Sequence, residues 1–197
     1  MNYFNYFKLK SIYFILIIGF INGCDLFETR DAELPDEIRS NYTTPSERTI
    51  LIQNLINSFS DKNTNNYTKT FSDPNLTGKL FFFNPSSTAL RFQIWENWNI
   101  SDEIQYFNNL INDVPQSLPI SLSFRNENYG AVIADSASYT AEYTLVVPQL
   151  NNESLIFEGN LNFTMFRDAG GVWSVYIWED NAIEGSTSWS ELKGIVH

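Results

Sequence analysis

From Tyr139 to Val147 every second residue is apolar (Tyr139, Ala141, Tyr143, Leu145, Val147), while Thr140, Glu142 and Thr144 fall between them. Successive side chains of a strand point to opposite faces, so a period of two commits this segment to a strand with one face packed and one face wet. The pattern recurs nearby. Ile120, Leu122 and Phe124 alternate with serines; Phe157, Leu161, Phe163 and Met165 oppose Glu158, Asn160, Asn162 and Thr164; Trp173, Val175 and Ile177 share one side of Val172 to Glu179. Asn126 to Gly130 and Asp168 to Gly171 carry the residues that favour turns between strands. These runs predict an antiparallel sheet with one buried face, which needs a second layer to cover it.

The covering layer comes earlier in the chain. Ile50, Leu51, Leu55, Ile56 and Phe59 recur at helical spacing behind Thr44-Pro45-Ser46-Glu47, where Thr44 is placed to cap, Pro45 suits the first helical position and Glu47 completes a capping box. Tyr67 to Phe71 reads as a short second helix stopped by Asp73-Pro74, and Lys79 to Asn84 as a short strand or buried connection. A helix is expected over Asp102 to Val114, capped by Ser101, with Asp102 and Glu103 favourably placed for the helix dipole. Ile104, Phe107, Leu110, Ile111 and Val114 form its apolar stripe. The fold class predicted is α+β, with N-terminal helices packed on a curved antiparallel sheet.

The first 24 residues belong to a different kind of segment. Lys8 and Lys10 are the only charges before Cys24, Ile12 to Ile21 is an almost unbroken apolar run, and Gly23 is a small residue just before the cysteine. Those are the three regions of an export signal, and the run is about half the ~20 residues a membrane-crossing helix needs. Cys24 is the only cysteine, so the chain forms no internal disulfide. It is either a free thiol beside an ordinary cleavage site or the point of attachment itself. Residues 25–44 are polar, without sustained periodicity, and read as a tether. Three parts are expected: residues 1–23 as signal, 24–44 as a flexible tether, and 45–197 as one domain.

Ile21-Asn22-Gly23-Cys24 resembles the lipobox of bacterial lipoproteins. The resemblance implies that Cys24 becomes the mature N-terminus and carries a diacylglyceryl group, often with a third acyl chain such as palmitate, which anchors the protein to the inner or outer membrane of the cell envelope. Two or more chains anchor stably where one does not. The segment Asp135-Ser136-Ala137 leading into Tyr139 to Tyr143, the strand containing Phe157-Glu158-Gly159 and Phe163-Thr164-Met165, and Gly171-Val172-Trp173-Ser174-Val175-Tyr176 resemble the closing hairpins of NTF2-like (cystatin-like α+β) domains, in particular those carried on bacterial lipoproteins. That likeness covers about residues 45–193. It implies a sheet curled into a cone under the helices.

Chemistry is sparsely marked. The formal charge is -11, a surface that repels phosphates and argues against nucleic acid as a partner. The only histidine is His197, which leaves nucleophilic triads and most zinc sites without their usual group, so no metal and no cofactor are expected. Some NTF2-like enzymes use a carboxylate and a tyrosine in the cone. The groups available for that are Asp135, Glu142, Glu179 and Asp180 with Tyr67, Tyr139 and Tyr143; period-two counting puts Glu142 on the wet face and leaves the other acids at strand ends. No catalytic residue is assigned. Tyr67, Trp95, Trp98, Tyr143 and Trp173 are either ordinary core or the walls of a pocket for a neutral, partly apolar ligand. Phe166, Tyr176 and Trp178 fall on the opposite face and mark a partner surface, a homodimer through the sheet, or a patch covered by the tail Ser186 to Lys193. The leading reading is a non-enzymatic lipid-anchored module that binds a small ligand or a protein partner; the alternative is an isomerase- or dehydratase-type enzyme in the same cone.

Overall fold

The computed structural model describes residues 41–150 and 153–197; the expected signal, Cys24 and the expected tether up to residue 40 lie outside the described residues. The last four residues expected in the tether are tied to the first helix. Thr43 donates its N–H to Asn54 Oδ1 at 3.1 Å, and the Asn54 amide donates back to Thr43 O at 2.6 Å. Helix α1 (Arg48–Ser60) buries Leu51, Leu55 and Phe59 on one stripe, as the spacing predicts. It begins later than its capping residues suggest: Glu47 is the N-cap and no side chain caps it. The carbonyl of Pro45 instead accepts the N–H of Trp173 at 2.8 Å, so a tertiary bond takes the residues expected to open the helix.

Helix α2 (Thr64–Thr68) is capped by Asn63 and buries Tyr67. Asp73 and Pro74, expected to stop a helix, open the single turn α3 (Pro74–Thr77), with Asp73 as its cap. After strand β1 (Phe82–Asn84) and a 3₁₀ turn (Ser87–Phe92), helix α4 (Ile100–Asp113) is capped by Asn99 rather than Ser101, in a reciprocal box with Asp102. Its buried stripe is Glu103, Tyr106, Phe107 and Leu110. An acid therefore sits on the packed side of this helix.

Strands β2 (Ser121–Tyr129), β3 (Ser136–Pro148), β4 (Ser154–Arg167) and β5 (Trp173–Ala182) form an antiparallel meander. The five-stranded sheet has the order β1-β5-β4-β3-β2, and β1 pairs parallel with β5, so the sheet is mixed where a purely antiparallel one was expected. Too few residues in β1 carry a pattern for its direction to be read from sequence. The expected turn at Asn126 is a bulge inside β2: one extra residue is accommodated between Arg125 and Asn128, with Asn126 at φ +52°. Asn tolerates that left-handed backbone better than most residues. Helix α5 (Trp189–Val196), capped by Ser188 and Glu191, then returns across the inner face of the sheet.

A second bulge decides which side chains face inward. Thr164 pairs with Ile177 and Met165 with Val175, which leaves Tyr176 without a partner. One unpaired residue reverses the parity of everything after it. Val175 points in, and the next fully inward residue is Trp178, three positions on, with 0% exposure. Trp178, assigned to the outer face by uninterrupted alternation, is thus a core residue, stacked on Phe71 and edge-on to Phe83, Phe163 and Trp189. Ile177 moves outward, and Asp180, at 2% exposure, moves in. Replacing Trp178 by Ala is expected to cost about 3–5 kcal/mol in denaturant unfolding, the penalty for emptying a large aromatic site, whereas Tyr176→Ala costs under about 1 kcal/mol.

Candidate functional site

The inside of the cone is polar at its centre. Glu103 on α4 and Lys193 on α5 are both fully buried, and the Lys193 Nζ lies 2.7 Å from each oxygen of the Glu103 carboxylate. The same carboxylate accepts the Tyr67 hydroxyl at 2.5 Å on Oε1 and the Trp98 indole N–H at 2.7 Å on Oε2. The rings of Phe83 and Trp178 flank the ammonium, each with its centroid 3.6 Å from Nζ. Asp180 on β5 is the second buried acid. It accepts the Tyr143 hydroxyl at 2.7 Å and both the backbone N–H and the hydroxyl of Ser190, at 2.8 and 2.5 Å. Tyr143 in turn accepts the Trp189 N–H, and the Trp189 indole donates to the Tyr106 hydroxyl at 2.8 Å. Every charged or hydroxyl group on the cone wall in this network meets either another wall residue or a residue of α5.

Solved structures with this arrangement of elements are numerous, though distant in sequence. A Novosphingobium aromaticivorans protein provisionally described as an aromatic ring hydroxylase aligns with TM-score 0.57 at 10% identity, over 74% of this chain and 92% of its own. A Streptomyces avermitilis protein provisionally described as a dehydratase of the NTF2-like family aligns with TM-score 0.53 at 8% identity, over 70% and 94%. The association domain of C. elegans CaMKII aligns with TM-score 0.51 at 15% identity, over 68% and 92%. The fold is NTF2-like. No protein-family model and no curated protein sequence matches the chain. At these identities the likeness concerns the fold alone, and the chemistry has to be read from this chain's own residues.

Within the NTF2-like cone the five aromatic candidates separate. Tyr67 and Trp98 meet on Glu103, and Trp95 packs 5.0 Å from Trp98 with its indole N–H on Ala89 O. Tyr143 lies on Asp180, joined to the others through Trp189 and Tyr106. Trp173 stands apart, its ring under the guanidinium groups of Arg48 and Arg167. On the outer face Phe166 and Tyr176 do meet, at 6.5 Å, and Lys79 Nζ lies 5.1 and 5.2 Å from their ring centroids. Of the acids considered for catalysis, Glu142 is held by the Asn126 amide and Glu179 by the Asn162 amide, both partly exposed, while Asp135 faces Arg167 at 3.7 Å. Among the described residues no group of three or more acids, histidines or cysteines is placed to hold a metal, and no helix is long and apolar enough to cross a membrane.

Glu103 and Lys193 carry the densest set of interactions and were not among the sequence candidates. A signal existed for Glu103: it lies three and four residues before Tyr106 and Phe107, on the stripe that α4 buries. Its position in the first turn, which suits the helix dipole, offered a sufficient surface explanation. Lys193 follows Leu192 and stands four residues after Trp189 on α5, again on the apolar side. Open surface cavities lie elsewhere. One of about 480 Å³ is lined by Leu76, Asp135, Phe166, Arg167 and Asp168, and another of about 220 Å³ by Lys69, Phe71, Trp173 and Ser174; neither includes a residue of the buried network.

Burial sets the protonation behaviour of the network. It pushes the Tyr67 and Tyr106 hydroxyls well above the usual tyrosine range, with the Glu103 charge adding to the effect. Burial also raises Asp180, against the hydrogen bonds from Ser190 and Tyr143. Lys193 is lowered to about 8, because loss of water outweighs the attraction of Glu103. A lysine whose folded value lies below its unfolded value makes stability rise with pH, since between about 8 and 10.5 the unfolded chain holds a proton that the folded chain has released. Above about 10 the raised tyrosines work in the opposite direction. Glu103→Gln is therefore expected to lose about 3–5 kcal/mol near neutrality, by stranding a buried cation, and to begin its alkaline gain in stability at a lower pH than the unsubstituted protein. Denaturant unfolding from pH 6 to 10 reads both effects. A double replacement of Glu103 and Lys193 by methionine should cost less than the sum of the two single changes.

Proposed function

We propose that this protein is a bacterial lipoprotein of the cell envelope, held to a membrane by acyl chains on Cys24, whose NTF2-like domain binds a partner protein rather than catalysing a reaction. The observation that carries the binding reading is the occupation of the cone. Lys193 fills the space beside Glu103, and Ser190 and Tyr143 engage Asp180, so the acids that a carboxylate-tyrosine enzyme would use already have partners from the chain itself. What supports the anchor is the order of Lys8 and Lys10, the apolar run ending at Ile21, Gly23 and the single Cys24.

The surface that best suits a partner is the outer side of β1 and β5. Phe82, whose strand partner is Ile177, is 53% exposed there, Leu80 just before β1 is 60% exposed, and Lys79 next to it lies over the Phe166 and Tyr176 rings. Exposed aromatic residues are enriched at protein contacts. A second copy of the domain is one partner this face suits. Cys24→Ser is expected to abolish lipid attachment and shift the protein from the membrane pellet to the soluble fraction; normal processing with unchanged sedimentation would overturn the anchor. Tyr176→Asp is expected to reduce cross-linking to partner protein in envelope preparations while leaving the thermal midpoint nearly unchanged, and undiminished cross-linking would overturn the choice of face.

A further inference from the structure

The Glu103 carboxylate is oriented by the cone wall, not by the helix that neutralises it. Tyr67 holds Oε1 and the Trp98 indole holds Oε2, so both oxygens are fixed before Lys193 arrives. Phe83 from β1 and Trp178 from β5 then place two ring faces against the ammonium, with Tyr106 at 5.4 Å and Trp98 at 5.5 Å around it. A fixed carboxylate facing electron-rich rings is the arrangement that recognises an alkylammonium ion: the acid takes the N–H donors and the rings attract the remaining charge. All of these wall groups lie in residues 67–178, whereas the cation arrives on the C-terminal helix, 90 residues after its carboxylate.

We propose that the cone is a binding site for a primary alkylammonium group, occupied in this chain by its own Lys193, so that α5 acts as a tethered ligand that any external amine must displace. The site commits to a primary ammonium on an unbranched stem, because two of the three ammonium hydrogens are used by Glu103 and the Phe83 and Trp178 rings lie close on the remaining sides. A neutral group of the same shape would leave a buried carboxylate without its counter-charge. This inference does not depend on the lipid anchor or on the outer face, and it can fail without affecting either.

The test uses the full chain with Lys193→Ala, which removes three methylene groups and the ammonium, and adds n-propylammonium, the same atoms as a free molecule. The thermal midpoint of the variant should rise saturably with n-propylammonium and not with n-propanol, as expected when a ligand binds only the folded state. The unsubstituted protein should not respond, since its site is filled. Adding Glu103→Gln to the variant should weaken the response by at least about tenfold, the scale of a lost charge-assisted hydrogen bond. An equal response to propanol, a full response without the Glu103 carboxylate, or no response to either compound would overturn the proposal. If Lys193→Ala does not fold alone, refolding yield is the readout. Recovery with the ammonium and not the alcohol supports the site, and recovery with both or neither rejects it.

Discussion

A cation and a carboxylate removed from water at the centre of the cone impose a severe condition on the rest of the molecule. Each ion alone would cost several kcal/mol to bury, so α4 and α5 must be held where Lys193 and Glu103 meet, and the remaining hydrogen-bonding capacity must be met nearby. The structure meets that condition with groups from every layer: Tyr67 from α2, Trp98 ahead of α4, Phe83 from β1 and Trp178 from β5. Asp180 repeats the arrangement one step along, with Tyr143 from β3 and Ser190 from α5. Such a network favours one packing over others of similar apolar area, because an alternative arrangement would leave a charge unpaired.

The network depends in turn on a small irregularity in the sheet. Without the unpaired Tyr176, Trp178 and Asp180 would both face outward; the bulge brings one against Lys193 and the other against Ser190. Tyr176 and Phe166, outward by simple alternation, stay together on the outer face beneath Lys79. A single insertion in the pairing thus divides the aromatic residues of β5 between the interior and the surface on which partner binding is proposed. Bulges commonly re-aim side chains in this way.

Much of the architecture was legible locally. The alternation in β3 and β4 places Tyr139, Tyr143, Leu145, Phe157 and Phe163 inside, where they are found, because every partner in the long β3 and β4 ladder keeps step and period two holds throughout. The stripe of α1 was equally plain. Less was legible where tertiary contacts compete with local rules. Pro45 gives its carbonyl to Trp173 instead of to a helix, and Asn126 becomes a bulge instead of a turn, because the strands paired beside them offer alternatives that a short window of sequence does not contain. Of the buried site, Tyr67, Trp98 and Tyr143 were recognisable as inward aromatics, but the acid and the lysine that organise them resembled ordinary surface charges.

The sequence by itself determined the class of the domain, helices over a one-sided sheet, because hydrophobic periodicity is a local property and survives any later arrangement of the layers. It also supplied the order of basic residues, apolar run and single cysteine on which the proposed anchor rests. Only the tertiary structure decided what occupies the cone. Glu103 and Lys193 lie 90 residues apart, and their pairing follows from strand register and from the path of α5, neither of which leaves a local trace. A charge pattern reads as solvated until something is known to cover it, and the cover here is the last helix of the chain.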